Sequence, residues 1–160
     1  MELVNCCDLA IAAEDAQFAR IEQRLGFAGA SAELTLSIIH IGLKRTLGLM
    51  LTGDTIDGKE AERLGMINKA VPADQLEEEV NKVAEKICLL PRDGIALGKS
   101  IRHLTYDALQ LTTGFTRSYV GHSFATNLRW EPDEYNFFKE RRDKGAKEGF
   151  HGRDDRYEKT

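Results

Sequence analysis

Two carboxylates bracket the opening stretch MELVNCCDLAIAAEDAQFARIE, at Glu2 and Glu22. Taken apart, each reads as a surface charge. Brought together in different surroundings, two carboxylates can act as acid and base on one substrate. The chain between them permits this. Leu3, Val4 and Cys7 mark one face of a short helix, residues 9–13 read as a buried strand, and Glu14 and Asp15 read as a polar turn before an extended stretch over 16–21. About six residues out at roughly 3.3 Å each, a turn and a similar length back return Glu22 towards the helix that carries Glu2.

The other reactive side chains point to less. His40, His103, His122 and His151 have no ligand-like spacing and no Cys-x-x-Cys accompanies them, so no metal site is expected. Ser31 lies in Gly29-Ala-Ser-Ala-Glu33, which lacks the closing glycine of a nucleophile elbow, and reads as a helix N-cap. Asp54, Asp57 and Gly58 have the wrong spacing for a calcium loop. Asp57 with Glu60 reads instead as a capping box, and Gly65 as the C-terminal cap of the same helix. The glycines at 26, 29, 42, 53, 58 and 65 do not form a phosphate-cradling Gly-x-Gly-x-x-Gly. Arg141, Arg142, Lys144, Lys147, Arg153 and Arg156 gather near the C-terminus, either as a solvated helix face or as a patch for a phosphorylated ligand. Cys6, Cys7 and Cys88 do not suggest a disulfide framework and are expected as free, buried thiols.

The elements that must position these groups are mostly helices. Residues 33–41 are apolar nearly all round, 44–51 form another short helix, and 66–71 a short strand ended by Pro72. The clearest helix covers 73–90, with Leu76, Val80, Val83 and Ile87 as its buried stripe. Two helices are expected over 94–128, a polar one from Asp133 to about Phe150, and a loose charged tail after it. With 160 residues, 42% hydrophobic and 30% charged, the chain fits one globular domain. A net charge of −4 speaks against a nucleic-acid partner. The longest apolar run, residues 9–13, is far short of the ~20 residues of a membrane span, and the default expectation is a soluble, cytoplasmic protein.

The odds on the two glutamates change with the pattern around them. Glu2-Leu-x5-Asp8-x-x-Ile-Ala, then Ala16-Gln-Phe18-x3-Glu22-x2-Leu-Gly26, Ile41-Gly42 and Leu51-Thr-Gly53-Asp follow in order. Ile56, Glu60-Ala61, Leu64-Gly65-Met-Ile-Asn68, Val71-Pro72 and, further on, Lys99 continue the series. Together they resemble the crotonase (enoyl-CoA hydratase/isomerase) superfamily, closely over residues 1–100 and more loosely beyond. The resemblance implies an α/β (α+β), helix-rich fold: the C-terminal part of a ββα superhelix over 1–95, and a C-terminal helical segment over 96–160 for oligomer contacts and for covering CoA.

It further implies a lyase in acyl-CoA (fatty acid) metabolism that adds water to, or removes it from, an acyl-CoA thioester. Glu2 and Glu22 would be the catalytic pair, one helping to deprotonate water and the other protonating the substrate's α-carbon. An acyl-CoA isomerase, a C–C bond-forming or -cleaving relative, and a truncated, non-catalytic assembly module are the alternatives. Gly26, Phe27, Ala28, Gly29 and Ala30 would line the acyl site, and Phe150, Arg153 and Arg156 would touch CoA. No prosthetic group is implied, since coenzyme A arrives as part of the substrate. The expected assembly is a homotrimer or a dimer of trimers.

Three departures from the family pattern stand out: Ile21 where proline commonly precedes the second glutamate, a small-residue loop rather than a Pro-Gly-rich one, and Glu33 where small residues are usual. Glu33 could add a further carboxylate or simply face solvent. The resemblance also places Met1 mid-fold, with a Gly-rich turn and both backbone N–H groups of the oxyanion hole upstream of it.

Overall fold

The computed structural model describes residues 1–26, 31, 33–124 and 127–158. In chain order the elements are α1 (Glu2–Cys6), β1 (Ile11–Ala13), a 3-10 helix (Ile21–Leu25), α2 (Leu34–Ile41), α3 (Leu43–Thr52), α4 (Gly58–Leu64) and β2 (Lys69–Val71). A 3-10 turn (Ala73–Gln75) then leads into α5 (Leu76–Cys88), α6 (Arg92–Ala108), α7 (Leu111–Phe124), α8 (Phe137–Lys144) and α9 (Ala146–Glu158).

The two strands run parallel, with Ile11 opposite Lys69, Ala12 opposite Ala70 and Ala13 opposite Val71. Parallel neighbours need a crossover, which the segment carrying α2 to α4 supplies. Ala12, Phe18, Ile41, Ala61, Leu64, Met66 and Ile67 close into the core around this pair. Phe18, Ile41, Leu64, Met66 and Ile67 each contribute about 1.5–3 kcal/mol when fully buried.

Local chemistry fixes α4. Asp57 accepts a hydrogen bond from the Glu60 N–H at 2.8 Å, and Gly65 ends the helix in the left-handed region at φ 83°. The Glu60 carboxylate does not close the capping box. It turns to Arg63 in a two-pronged bond of 2.6 Å each. Gly58 is needed for closeness: a Cβ there would lie 2.0 Å from the Ala13 carbonyl oxygen at the end of β1.

Several elements depart from the sequence reading. The extended stretch over 16–21 reduces to one antiparallel bridge between Phe18 and Ile56 before the chain coils into the 3-10 helix. The strand expected over 66–71 shortens to its last three residues. On α5 the apolar stripe leans over α1 and β1 without sealing against them: Val80 stays 43% and Ile87 37% exposed, along a groove of about 420 Å³ that Leu3, Leu9 and Val83 also line. The expected terminal helix is two helices that meet at Gly145 (φ 91°), and the tail expected to be loose is helical to Glu158. Phe137 is buried at this hairpin, 5.2 Å from the Phe150 ring centroid. The thiols are free but not buried; all three are exposed, because little packs over the C-terminal ends of α1 and α5. No described helix is long and apolar enough to cross a membrane.

Candidate functional site

Glu2 and Glu22 each sit in the first turn of a helix, α1 and the 3-10 helix respectively, and both side chains are exposed. Among the described residues no hydrogen bond or ion pair joins them directly. A buried polar cluster joins their backbones instead. Arg20, two residues before Glu22, is 3% exposed and forms an ion pair with Glu33, which is 1% exposed. From α1, Asn5 lies three residues beyond Glu2 and donates through Nδ2 to Glu33 Oε1 at 3.2 Å and to Ser37 Oγ at 3.0 Å. Arg20 Nη2 also donates to Ser37 Oγ at 2.9 Å, and its Nη1 to Ser31 Oγ at 2.8 Å. The two carboxylate-bearing segments are thereby cross-braced through the start of α2.

Ser31 is the member that reaches outward. Its hydroxyl lies against Glu33 Oε2 and 3.4 Å from Glu2 Oε1. It does not cap α2 with its side chain; its carbonyl accepts the Leu34 N–H instead, at 3.3 Å. Glu33 likewise faces inward rather than solvent. Burial pushes its carboxyl up, but the hydrogen bonds from Arg20, Ser31 and Asn5, with the Arg20 charge, outweigh it and hold the group below the usual carboxylate range.

Gly26 ends the 3-10 helix at φ 94°, while Phe27, Ala28, Gly29 and Ala30 lie outside the described residues. Arg156 and Gly26 share one pocket, of about 380 Å³, with Trp130 and Tyr135, and the Arg156 guanidinium stacks 4.2 Å from the Tyr135 ring centroid. Arg153 is drawn inward: its guanidinium clasps Asp154 at 2.7 and 2.6 Å and lies 5.0 Å from the Phe150 ring centroid. Of the expected CoA contacts, Arg156 and Phe150 are exposed and Arg153 is not.

A second cavity, about 460 Å³, opens beside Asn5 between α1, α2, α6 and α7 and includes Asp8, His40, Lys99, His103 and Phe115. Lys99 Nζ donates to Asp8 Oδ2 at 2.5 Å, tying α6 to the end of α1. That bond, first, and the Lys99 charge hold the Asp8 carboxyl below its ordinary value, against a smaller upward push from burial. Among the described residues no group of three or more His, Cys, Asp or Glu side chains is placed to hold a metal ion.

Sequence reasoning missed Arg20, Asn5 and Ser37. A signal was present. Glu33, Ser37 and Ile41 recur every fourth residue, so the inward stripe of α2 begins with two polar groups that must find partners inside. Phe18 and Arg20 alternate on one side of an extended stretch, which points Arg20 inward to meet them.

The model of the family described as enoyl-CoA hydratase/isomerase matches residues 1–147. A probable mitochondrial enoyl-CoA hydratase of Dictyostelium discoideum is 33% identical over 142 residues, which cover 88% of this chain and 50% of that relative. A probable enoyl-CoA hydratase of Mycobacterium leprae is 37% identical over 110 residues, covering 67% of this chain and 42% of the relative. Among solved structures, an enoyl-CoA hydratase/isomerase from Xanthobacter autotrophicus Py2 superposes with a TM-score of 0.73 at 27% identity, covering 97% of this chain and 56% of that one. The chain thus spans about half the length of these relatives.

Proposed function

The chain belongs to the enoyl-CoA hydratase/isomerase family, and from that premise we propose that it carries the acid/base groups of a hydratase-like lyase acting on acyl-CoA thioesters. Glu2 and Glu22 share the work. One takes a proton from the water that attacks the substrate's β-carbon, and the other delivers a proton to the α-carbon. The observation that carries this reading is the cross-brace: exposed carboxylates at both family positions, on segments locked together by Arg20, Glu33 and Asn5. Paired groups that must act on adjacent carbons need fixed separation more than mutual contact.

The thioester oxygen becomes negative during the reaction and needs N–H donors. The family supplies them from the half that precedes the region matched here, and losing one such donor costs ~10²–10³-fold in rate. The test is hydration of a short enoyl-CoA by this chain joined behind the N-terminal half of the Dictyostelium relative, with the chain alone beside it. The joined protein should turn over, and Glu2→Gln and Glu22→Gln should each abolish most of its activity. Unchanged turnover in both variants would overturn the two-carboxylate mechanism. Migration of the double bond without hydration would move the protein to the isomerases.

The apolar faces of α6 and α7 support a self-associating protein, a trimer or dimer of trimers. Leu97, Ile101 and Leu104 recur on one face of α6 and, with Tyr119 and Phe124 on α7, are each more than half exposed; exposed apolar surface of this kind marks interaction sites. Sedimentation of the joined protein tests this. A cytoplasmic location is part of the same proposal, resting on the composition of a water-soluble globular chain.

A further inference from the structure

We propose that Arg20, Ser31 and Glu33 form a positioning assembly for Glu2, in which a buried ion pair grips the Ser31 hydroxyl and that hydroxyl holds Glu2 Oε1 in both of its protonation states. The proposal rests on Glu2 being an acid/base group of the hydration reaction.

A serine hydroxyl has one hydrogen and two lone pairs. Arg20 Nη1 occupies one lone pair of Ser31 Oγ from 2.8 Å. The hydrogen then has two carboxylate oxygens to choose between, Glu33 Oε2 and Glu2 Oε1. While Glu2 is ionised, the hydrogen is shared between Glu33 Oε2 and Glu2 Oε1, and Glu33 Oε1 keeps its bonds from Arg20 Nη2 and Asn5 Nδ2. Once Glu2 has taken a proton, its own O–H donates to the second lone pair of Ser31, and the serine hydrogen is given wholly to Glu33 Oε2. Neither state sets donor against donor or acceptor against acceptor. Ser31 keeps its own proton throughout, so the proton that Glu2 exchanges with water or carbon is the only one that moves.

The geometry around Ser31 suits this role. Its side chain is buried, as are all its partners except Glu2, so water does not compete for the hydroxyl. Arg20 and Glu33 cancel in charge, so the assembly orients Glu2 without adding net charge. The Ser31–Glu2 separation of 3.4 Å is long for an O–H···O bond, as catalytic hydrogen bonds commonly are before substrate arrives.

The test compares Ser31→Ala, Ser31→Thr, Ser31→Cys and Glu2→Gln in the catalytically competent joined protein, with kcat, KM and melting temperature measured for each. Ser31→Ala should lower kcat by up to about 10²-fold, the loss that a misplacement of about 1 Å produces, with KM within about twofold of the parent. Ser31→Thr, which keeps the hydroxyl, should recover most of it. Ser31→Cys fills a similar volume with a weak donor and should behave like alanine, which answers the question should Ser31→Ala fail to fold. If Glu2→Gln abolishes turnover while Ser31→Ala and Ser31→Cys keep kcat, the positioning role is overturned and the reading of Glu2 survives. If Glu2→Gln itself leaves turnover intact, both fall.

Discussion

Arg20 and Glu33 face each other as a buried ion pair, 3% and 1% exposed, thirteen residues apart in sequence. Such a pair is costly to break and cheap to replace. Removing one partner strands a charge at about 3–5 kcal/mol, whereas two apolar side chains of similar volume are often neutral. Arg20→Met or Glu33→Leu alone should therefore lower the urea midpoint far more than the double variant does. Losses in the double variant that equal the sum of the singles would show that the two residues do not act as a unit.

Acid should weaken the fold in two stages. Burial pushes the His40 imidazole below its ordinary value, against a smaller opposing pull from Glu33. The unfolded chain then binds more protons at this site than the native one, so stability falls as pH drops below about 6.5. Glu33, held low by its partners, stabilises fully above the unfolded carboxylate value of about 4.3 and loses that contribution as pH falls through its folded value. Melting temperature measured against pH should show both declines, and His40→Gln should remove the upper one only. An unchanged upper decline in that variant would exclude His40 as its source.

Gly58→Ala should destabilise strongly. The added methyl meets backbone, the Ala13 carbonyl at 2.0 Å, so no side chain can swing aside and α4 must shift off β1. Overpacking costs typically about 1–3 kcal/mol, and this contact belongs at the upper end. Gly98→Ala, where a Cβ meets nothing within 4 Å, is the control and should be neutral or mildly stabilising in its helix. Equal melting temperatures for the two variants would contradict the close approach.

All three cysteines should react with a thiol reagent in the native protein, since each is exposed. Their rates should differ. Burial around the sulfur, followed by the Glu33 charge, raises the Cys6 pKa, and the thiolate is the reacting species. Cys6 should be the slowest to be modified in a mass-resolved time course at neutral pH; a fast Cys6 would contradict this.

Much of the frame is legible in sequence because it is local. Asp57 and Gly65 bound α4 through bonds within one turn of their own positions, and the heptad-like stripe of Leu76, Val80, Val83 and Ile87 announces α5 without reference to anything else. What that stripe packs against is not local, and its partial exposure could not be read from its period. The same holds at the site. Glu2 and Glu22 stand out through their place in an ordered pattern, but the cluster beneath them joins residues 5, 20, 31, 33 and 37, and no short window contains it. Glu33 reads from sequence as a departure of either direction, because the arginine that draws it inward belongs to another segment.

The parallel pairing of Ile11 with Lys69 has a kinetic meaning. A chain that joins positions 58 apart (69 − 11) must first close that loop, at an entropic cost of roughly 3–4 kcal/mol, before either three-residue strand gains a neighbour. The helices and the α8–α9 hairpin need no such closure and can form at the pace of local structure. Two of the shortest elements in the chain thus wait on a closure that the helices do not need, and the carboxylate-bearing segments on either side of β1 depend on that closure for a fixed partner.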